Sequence, residues 1–460
     1  MAPDVIIVGA GPAGIFATLE LLDRGVEKVL ILEKGFPLEK RRCFLRETGR
    51  CRQCEPCNLL SGWGGAGAFS DGKLTLSPYV GGFLGDLVGR ERLESLIKEV
   101  DRRFMEFGAP SKVYGQPGDA MEALARKSVQ AGLRLVPVPV RPMGTHRCSQ
   151  VLDALFRHLT GRVEVIFNRE VEAIRLVNGY KEVVTSSGEA YRAPFLLLAP
   201  GREGNRWLRD QLEPLGVGFE TNPVDVGVRV EVPAEVMEEV TSVAYEAKLL
   251  FNAPTFDDEV RTFCMCPHGE VVMEYRSGLY TVNGHSHGKE STTYTNFALL
   301  VRTAFTEPFD SPVAYGEYLA RLANLLVGTV IVQRLGDLRM GRRSTPERIK
   351  RGLIEPTLAE AVPGDLSFAL PYRYLVDILE MLEAMDRVMP GVNSRHTLLY
   401  GIEVKFYSLR PQMSESLETP VPGLFVAGDG AGVSRGLIQA AASGVLAARA
   451  VLERLKTSTL

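Results

Sequence analysis

The sequence predicts an α/β fold: a parallel-sheet domain assembled from both ends of the chain, with a mixed α+β domain inserted between them. Three observations predict it. Val5-Ile6-Ile7-Val8 is a run of β-branched residues suited to a buried parallel strand, and a glycine-rich turn and a helical pattern follow it. From Val224 to Val232, valines alternate with Asp225, Gly227, Arg229 and Glu231, the period of two of a half-buried strand opening a second domain. Leu424-Phe425-Val426-Ala427, a Gly428-Asp429-Gly430 turn and an Ala-rich helix opened by Gly436 then return to the first theme. The expected boundaries are 1–214 with 396–460 for the discontinuous domain and 215–395 for the insert.

The opening stretch carries the clearest motif. Gly9-Ala10-Gly11-Pro12-Ala13-Gly14 is a G-x-G-x-x-G turn between a strand and a helix. Gly9 permits the tight turn, Gly11 lets backbone approach a pyrophosphate, and Gly14 lets the helix pack on its strand. The helix N-terminus offers N–H groups and partial positive charge to phosphates. A second strand, Val29-Leu30-Ile31-Leu32, ends in Glu33, nineteen residues after Gly14, where a carboxylate accepts ribose hydroxyls. Order and spacing together indicate dinucleotide binding.

Composition narrows the rest. A chain of 460 residues with 45% hydrophobic and 24% charged residues reads as an ordinary globular enzyme of two or three domains. A formal net charge of −3 argues against nucleic acid or an anionic membrane as the main partner. No apolar run reaches the length of a membrane span, and a strand starting at Asp4 leaves no room for a signal peptide, so a cytoplasmic location is expected. The seven cysteines then read as thiols, ligands or redox groups rather than disulfides.

Residues 34–90 form a cysteine- and glycine-rich insertion without clear periodicity, expected to be a functional loop against a ligand. Helical patterns follow at 91–107, at 149–160 (capped by Ser149), at about 316–327 and at 374–388. Val163 to Leu198 reads as sheet, with Asn178-Gly179 as a hairpin turn and 191–198 as its last strand. Gly201 to Gly204 reads as the crossing between domains.

The paired glycine motifs, with Ala199-Pro200-Gly201-Arg202, resemble the FAD-binding flavoproteins of the glutathione-reductase and hydroxybenzoate-hydroxylase superclass. That resemblance implies a Rossmann-like FAD-binding domain in which Asp429 accepts a ribitol hydroxyl, the helix after Gly436 faces flavin or pyrophosphate, and residues near Val171 line the adenine. The implied cofactor-binding set is Gly9, Gly11, Ala13, Gly14, Glu33, Lys34, Val171, Gly201, Gly428, Asp429 and Gly436. The blocks Gly64 to Lys73, Asn222 to Glu231 and Gly401 to Tyr407 resemble the family of uncharacterised FAD-dependent dehydrogenases over nearly the whole chain.

Two clusters stay open at this level. Cys51, Cys54 and Cys57, with Cys43 eight residues upstream, could hold an iron–sulfur cluster or zinc, act as a redox dithiol, or have no role. Nearby arginines would lower their thiolate pKa. Polar candidates for substrate chemistry are Asp71, Lys73, His285, His287, Arg342, Arg343, Glu403 and Lys405. Lys73, Lys405 and His285 are the catalytic candidates, with Lys405 expected to bring a cation near the last strand of the FAD domain. The expected function is an FAD-dependent oxidoreductase moving a hydride or electron pair to or from a small organic substrate. The alternative is a flavoprotein whose cysteines relay electrons to a redox protein partner. With one glycine fingerprint in strand–helix context, NAD(P)H is expected only as a transient reductant.

Overall fold

The computed structural model describes residues 2–44, 52–276, 278–286, 292–303, 305 and 311–458. Two compact units result: Met1–Lys112 with Arg141–Asn222 and Ser408–Leu460, and Val113–Val140 with Pro223–Tyr407.

The first unit is built on a five-stranded parallel sheet, in the order Leu424–Val426, Phe195–Leu198, Val5–Val8, Val29–Glu33, Glu164–Phe167. Its first four strands are buried throughout, as β-branched and leucine runs without alternation require. Helix Pro12–Asp23 packs on helix Leu437–Ser458, so the two ends of the chain share one core. A three-stranded antiparallel sheet, Val171–Val177, Tyr180–Thr185 and Ala190–Ala193, turns at Asn178-Gly179, where both residues have positive φ as a type I′ hairpin demands. The strand expected over 191–198 is two strands, broken at Pro194, which has no N–H for a ladder. The helix expected from Ser149 starts five residues earlier, at Gly144; the Ser149 hydroxyl donates back to the Thr145 carbonyl instead of capping.

The second unit holds an eight-stranded sheet, in the order Val362–Pro363, Ile331–Arg334, Leu398–Lys405, Val224–Pro233, Tyr294–Thr303, Glu259–Cys266, Lys248–Asn252, Arg134–Val136. Two segments expected in the FAD domain belong here. Residues 113–140 supply the edge strand Arg134–Val136 and a helix, Asp119–Gln130, whose Met121 and Leu124 enter this core. Leu398–Lys405 is an inner strand, bonded to both Val224–Pro233 and Ile331–Arg334.

Val224–Val232 is also not half-buried: every residue of it is buried. Its valines pack under helices Ala234–Ala244 and Tyr372–Asp386. The opposite face carries Asp225, Arg229 and Glu231, joined by Glu403 and Lys405 from one neighbouring strand and Asn296 from the other. Period two thus marks two different buried faces, one apolar and one charged.

Candidate functional site

Three turns of the first unit lie at the carboxyl edge of the parallel sheet, where connections diverge to the two sides of Val5–Val8. Open α/β sheets bind their ligands at that edge. After Val8, Gly9 has φ +105°, and a Cβ there would lie 2.3 Å from the Ala199 carbonyl oxygen. Gly14 is as tightly set, its Cβ position being 2.0 Å from the Gly9 oxygen. Ala13 is buried, and a Cβ on Gly428, in the third turn, would lie 3.1 Å from the Ala13 Cβ. From the second turn, Gly201 lies against Gly430, and Asn205 Nδ2 donates to the Gly430 carbonyl at 2.8 Å. Gly201 to Gly204 is therefore not a crossing between domains. It stays in the first unit, beside Gly428-Asp429, because helix Asn205–Leu212 continues from it.

Gly11 differs from its neighbours. A Cβ on it would meet no described protein atom within 4 Å, so packing does not require glycine there. The space beside it is open to a ligand approaching the backbone. Helix Pro12–Asp23 begins at Gly11 without a side-chain cap, which leaves its first N–H groups available to an anion. These features fit a pyrophosphate.

The Glu33 carboxylate is more committed than the motif implies. Oε2 accepts from Ala10 N, and Oε1 from Gly35 N and Gly62 N, each at 2.8 Å. A carboxylate has roughly four acceptor sites, so one on Oε2 is left for a ribose hydroxyl. Glu33 is thus a clasp between the fingerprint and the inserted loop, with one acceptor position to spare. Lys34 Nζ is 3.9 Å from Glu203 Oε2, placing it beside the second turn. Val171 is buried two residues beyond Arg169, whose N–H donates to the Glu33 carbonyl. Asp429 Oδ1 accepts from Ser434 Oγ at 2.8 Å, and Oδ2 faces Gly436 N and Arg202. Burial pushes its carboxyl upward against the pull of Arg202.

Sequence reasoning missed what orders the inserted loop. Arg41 is buried, and its guanidinium donates to the carbonyls of Asn58, Leu59, Trp63 and Gly65. Burial pulls it down to about 10, with Glu33 opposing. Gly64 N donates to the Ala10 carbonyl, and Gly65 comes within 3.2 Å of Gly11 Cα for an added Cβ, so the loop lies against the fingerprint. Gly82 packs on Ser434 ahead of the last helix; the Gly81-Gly82 pair was the available signal.

In the second unit the charged face forms a network. Arg229, fully buried, donates to Asn296 Oδ1 at 2.8 and 2.7 Å and lies 3.5 Å from Glu403 Oε1. Lys405 Nζ meets the same Glu403 oxygen at 2.9 Å, while Glu403 Oε2 has no hydrogen-bond partner among the described residues. Arg261 pairs with Asp225, and Tyr407 Oη donates to Asp225 Oδ2 at 2.7 Å. Burial, then the charge of Arg261, pulls Lys248 down to about 8. Lys405 therefore sits in the second sheet, where its strand pairs it with Asp225, whereas Leu424–Val426 pairs in the parallel sheet of the first unit. The alternation from Val224 was the signal for Asp225 and Arg229; Arg261 and Lys248 had none.

The remaining candidates are dispersed. Lys73 Nζ is 3.1 Å from Asp71 Oδ2 in the first unit, and His285 is buried at the end of the strand Leu279–His285 in the second. Arg342 pairs with Asp337 at 3.0 Å, and the Arg343 carbonyl accepts from Arg348. His287 and Cys51 lie outside the described residues. Among those described, no three His, Cys, Asp or Glu side chains gather as a metal would need. Burial raises Cys57, so the expected lowering by nearby arginines does not hold for it.

Residues 4–41 match the family profile described as FAD binding domain, and 223–406 match that of FAD-dependent protein, C-terminal domain-like. The chain is an FAD-dependent protein. Residues 363–459 also match the profile of glucose inhibited division protein A. An uncharacterized protein of Clostridium beijerinckii is 29% identical over 98% of this chain and 80% of its own length. Among solved structures, glycine oxidase from Geobacillus kaustophilus aligns at TM-score 0.39 and 14% identity, over 98% of this chain and 94% of that one. L-proline dehydrogenase from P. horikoshii aligns at 0.42 and 10%, over the same shares. Scores this low carry no residue correspondence. Bound FAD supplies redox chemistry, which makes this FAD-dependent protein an oxidoreductase. No helix among the described residues is long and apolar enough to cross a membrane.

Proposed function

We propose that this FAD-dependent oxidoreductase moves a hydride or electron pair between its flavin and a small organic substrate, with the second unit as substrate domain. The observation that carries the reading is Gly11, whose Cβ position meets no described protein atom within 4 Å, beside an uncapped helix start. FAD would lie along Gly9, Gly11, Ala13 and Gly14, with Glu33, Lys34 and Val171 at its adenosine end. Gly201, Gly428, Asp429 and Gly436 would serve its ribitol end. When bound, FAD accepts or donates the electron pair.

The protein's own part is orientation and proton handling. Arg261, Tyr407 and Lys405, on the charged face of the sheet, are the groups we assign to holding a polar or anionic substrate group. Lys248, drawn down to about 8, is partly neutral near physiological pH and is the group we assign to taking a substrate proton. His285 and Lys73 stay candidates to which we assign no step. We place the protein in the cytoplasm, since none of the described cysteines is in a disulfide. NAD(P)H, if used, would dock transiently at the flavin.

The test is direct. Purified protein should be yellow and release FAD on denaturation, and FAD at about 100 times its Kd should stabilise it by about 2.7 kcal/mol. An anaerobic screen of small acids, amines and alcohols for flavin bleaching then identifies the substrate class. In the pH–rate profile with that substrate, Lys248→Met should abolish the limb near pH 8. A colourless protein that FAD does not stabilise defeats the reading.

A further inference from the structure

The strand Glu259–Cys266 ends in two cysteines that nothing above employs. In a regular strand, residues two apart stand about 6.6 Å apart at Cα. That is the upper edge of the roughly 4.4–6.8 Å a disulfide spans. Here the register against Tyr294–Thr303 shifts between Phe263 and Cys266, and Cys264 has φ +45°. At this irregularity the two sulfurs stand 4.0 Å apart. Arg229 Nη2 lies 3.4 Å from Cys266 Sγ and donates to the Cys264 carbonyl at 2.6 Å. Cys266 is buried and Cys264 half-exposed.

We infer that Cys264 and Cys266 are a reversible redox pair, a modification site oxidised by a small-molecule disulfide. The asymmetry assigns the order of events. The half-exposed Cys264 thiolate attacks a disulfide such as oxidised glutathione, forming a mixed disulfide and releasing one glutathione thiol. The Cys266 thiolate, facing the Arg229 guanidinium, then attacks Cys264 Sγ and releases the second. Two cysteine thiols lose two protons and two electrons, and one external disulfide gains both as two thiols. The pair touches Arg229, and through it Glu403, so its state bears on the charged face of the second unit. The inference does not depend on the proposed substrate chemistry.

Trypsin cleaves after Arg261 and Arg276, so one peptide, Thr262 to Arg276, reports both sulfurs and no other cysteine. The intact protein would be equilibrated with graded ratios of oxidised to reduced glutathione, alkylated and digested. The expected peptide is lighter by two hydrogen atoms and unalkylated at high ratios, and dithiothreitol restores it. Cys266→Ser should hold glutathione on Cys264 as a stable adduct, while Cys264→Ser should leave Cys266 unmodified. Alkylation of both cysteines at every ratio overturns the inference, as does a lasting glutathione adduct in the wild type. The wild-type measurement decides even where a variant fails to fold.

Discussion

The two units arrange their polar groups in opposite ways. The first does it with backbone: glycine turns at strand ends, helix N–H groups, and a glutamate and an arginine spent mainly on ordering those turns. The second does it with buried side-chain charge, in which Arg229, Arg261 and Lys405 face Asp225 and Glu403. Backbone donors are fixed by the fold and need no counter-charge. Buried ions must be paired, and removing one leaves its partner stranded. Perturbations should therefore act on binding alone in the first unit at its open position, and on stability throughout the second.

The largest effect is expected at Arg229. Arg229→Met leaves Glu403 buried with only Lys405 opposite, and should destabilise the second unit by about 3–5 kcal/mol. Adding Glu403→Leu should return part of that loss. Urea unfolding of both variants measures it, and an Arg229→Met protein as stable as wild type would dissolve the contrast between the units.

A pH dependence should come from the second unit as well. Asp377 is fully buried, and burial, then the neighbouring Asp258, raises its carboxyl to about 7. Its folded pKa lies above the unfolded value near 3.9, so the folded state binds more protons between the two. Stability from this group is full below about pH 4 and falls as pH rises to about 7, by about 4 kcal/mol at most. Asp377→Asn should flatten that slope in melting curves taken across the range.

In the first unit, Gly9→Ala forces a Cβ into the Ala199 carbonyl at a strained φ and should destabilise by about 2 kcal/mol, with FAD lost in parallel. FAD content and melting temperature of the same preparation report both.

How much of this was legible follows the same division. The parallel sheet, its fingerprint, the Asn178-Gly179 hairpin and the discontinuous first domain could be read because each rests on local chemistry: β-branched runs, glycines at required φ, a turn pair. The second unit resisted because its logic is tertiary. Alternation at Val224 to Val232 says that two faces differ, but not that the charged face is also covered. Residues 113–140 carry no mark of the sheet edge they join, and Lys405 reveals its partner only through the register with Asp225. Arg41 sits in a basic run indistinguishable from a solvated one, although it is buried.

The smallest expected change in stability is the sharpest test of the comparison. A Cβ at Gly11 meets no described protein atom within 4 Å, and its backbone, at φ −79°, is one any residue adopts. Gly11→Ala should therefore leave the FAD-free protein within about 0.5 kcal/mol of wild type. FAD is another matter, because the added methyl group occupies the approach to the backbone. A weakening of tenfold or more, about 1.4 kcal/mol, is expected in a fluorescence titration of the apoprotein. Gly9→Ala lowers both quantities, whereas Gly11→Ala should separate them. If FAD binds Gly11→Ala as tightly as wild type, the pyrophosphate does not lie over this turn, and the backbone-built site must be placed elsewhere along the sheet edge.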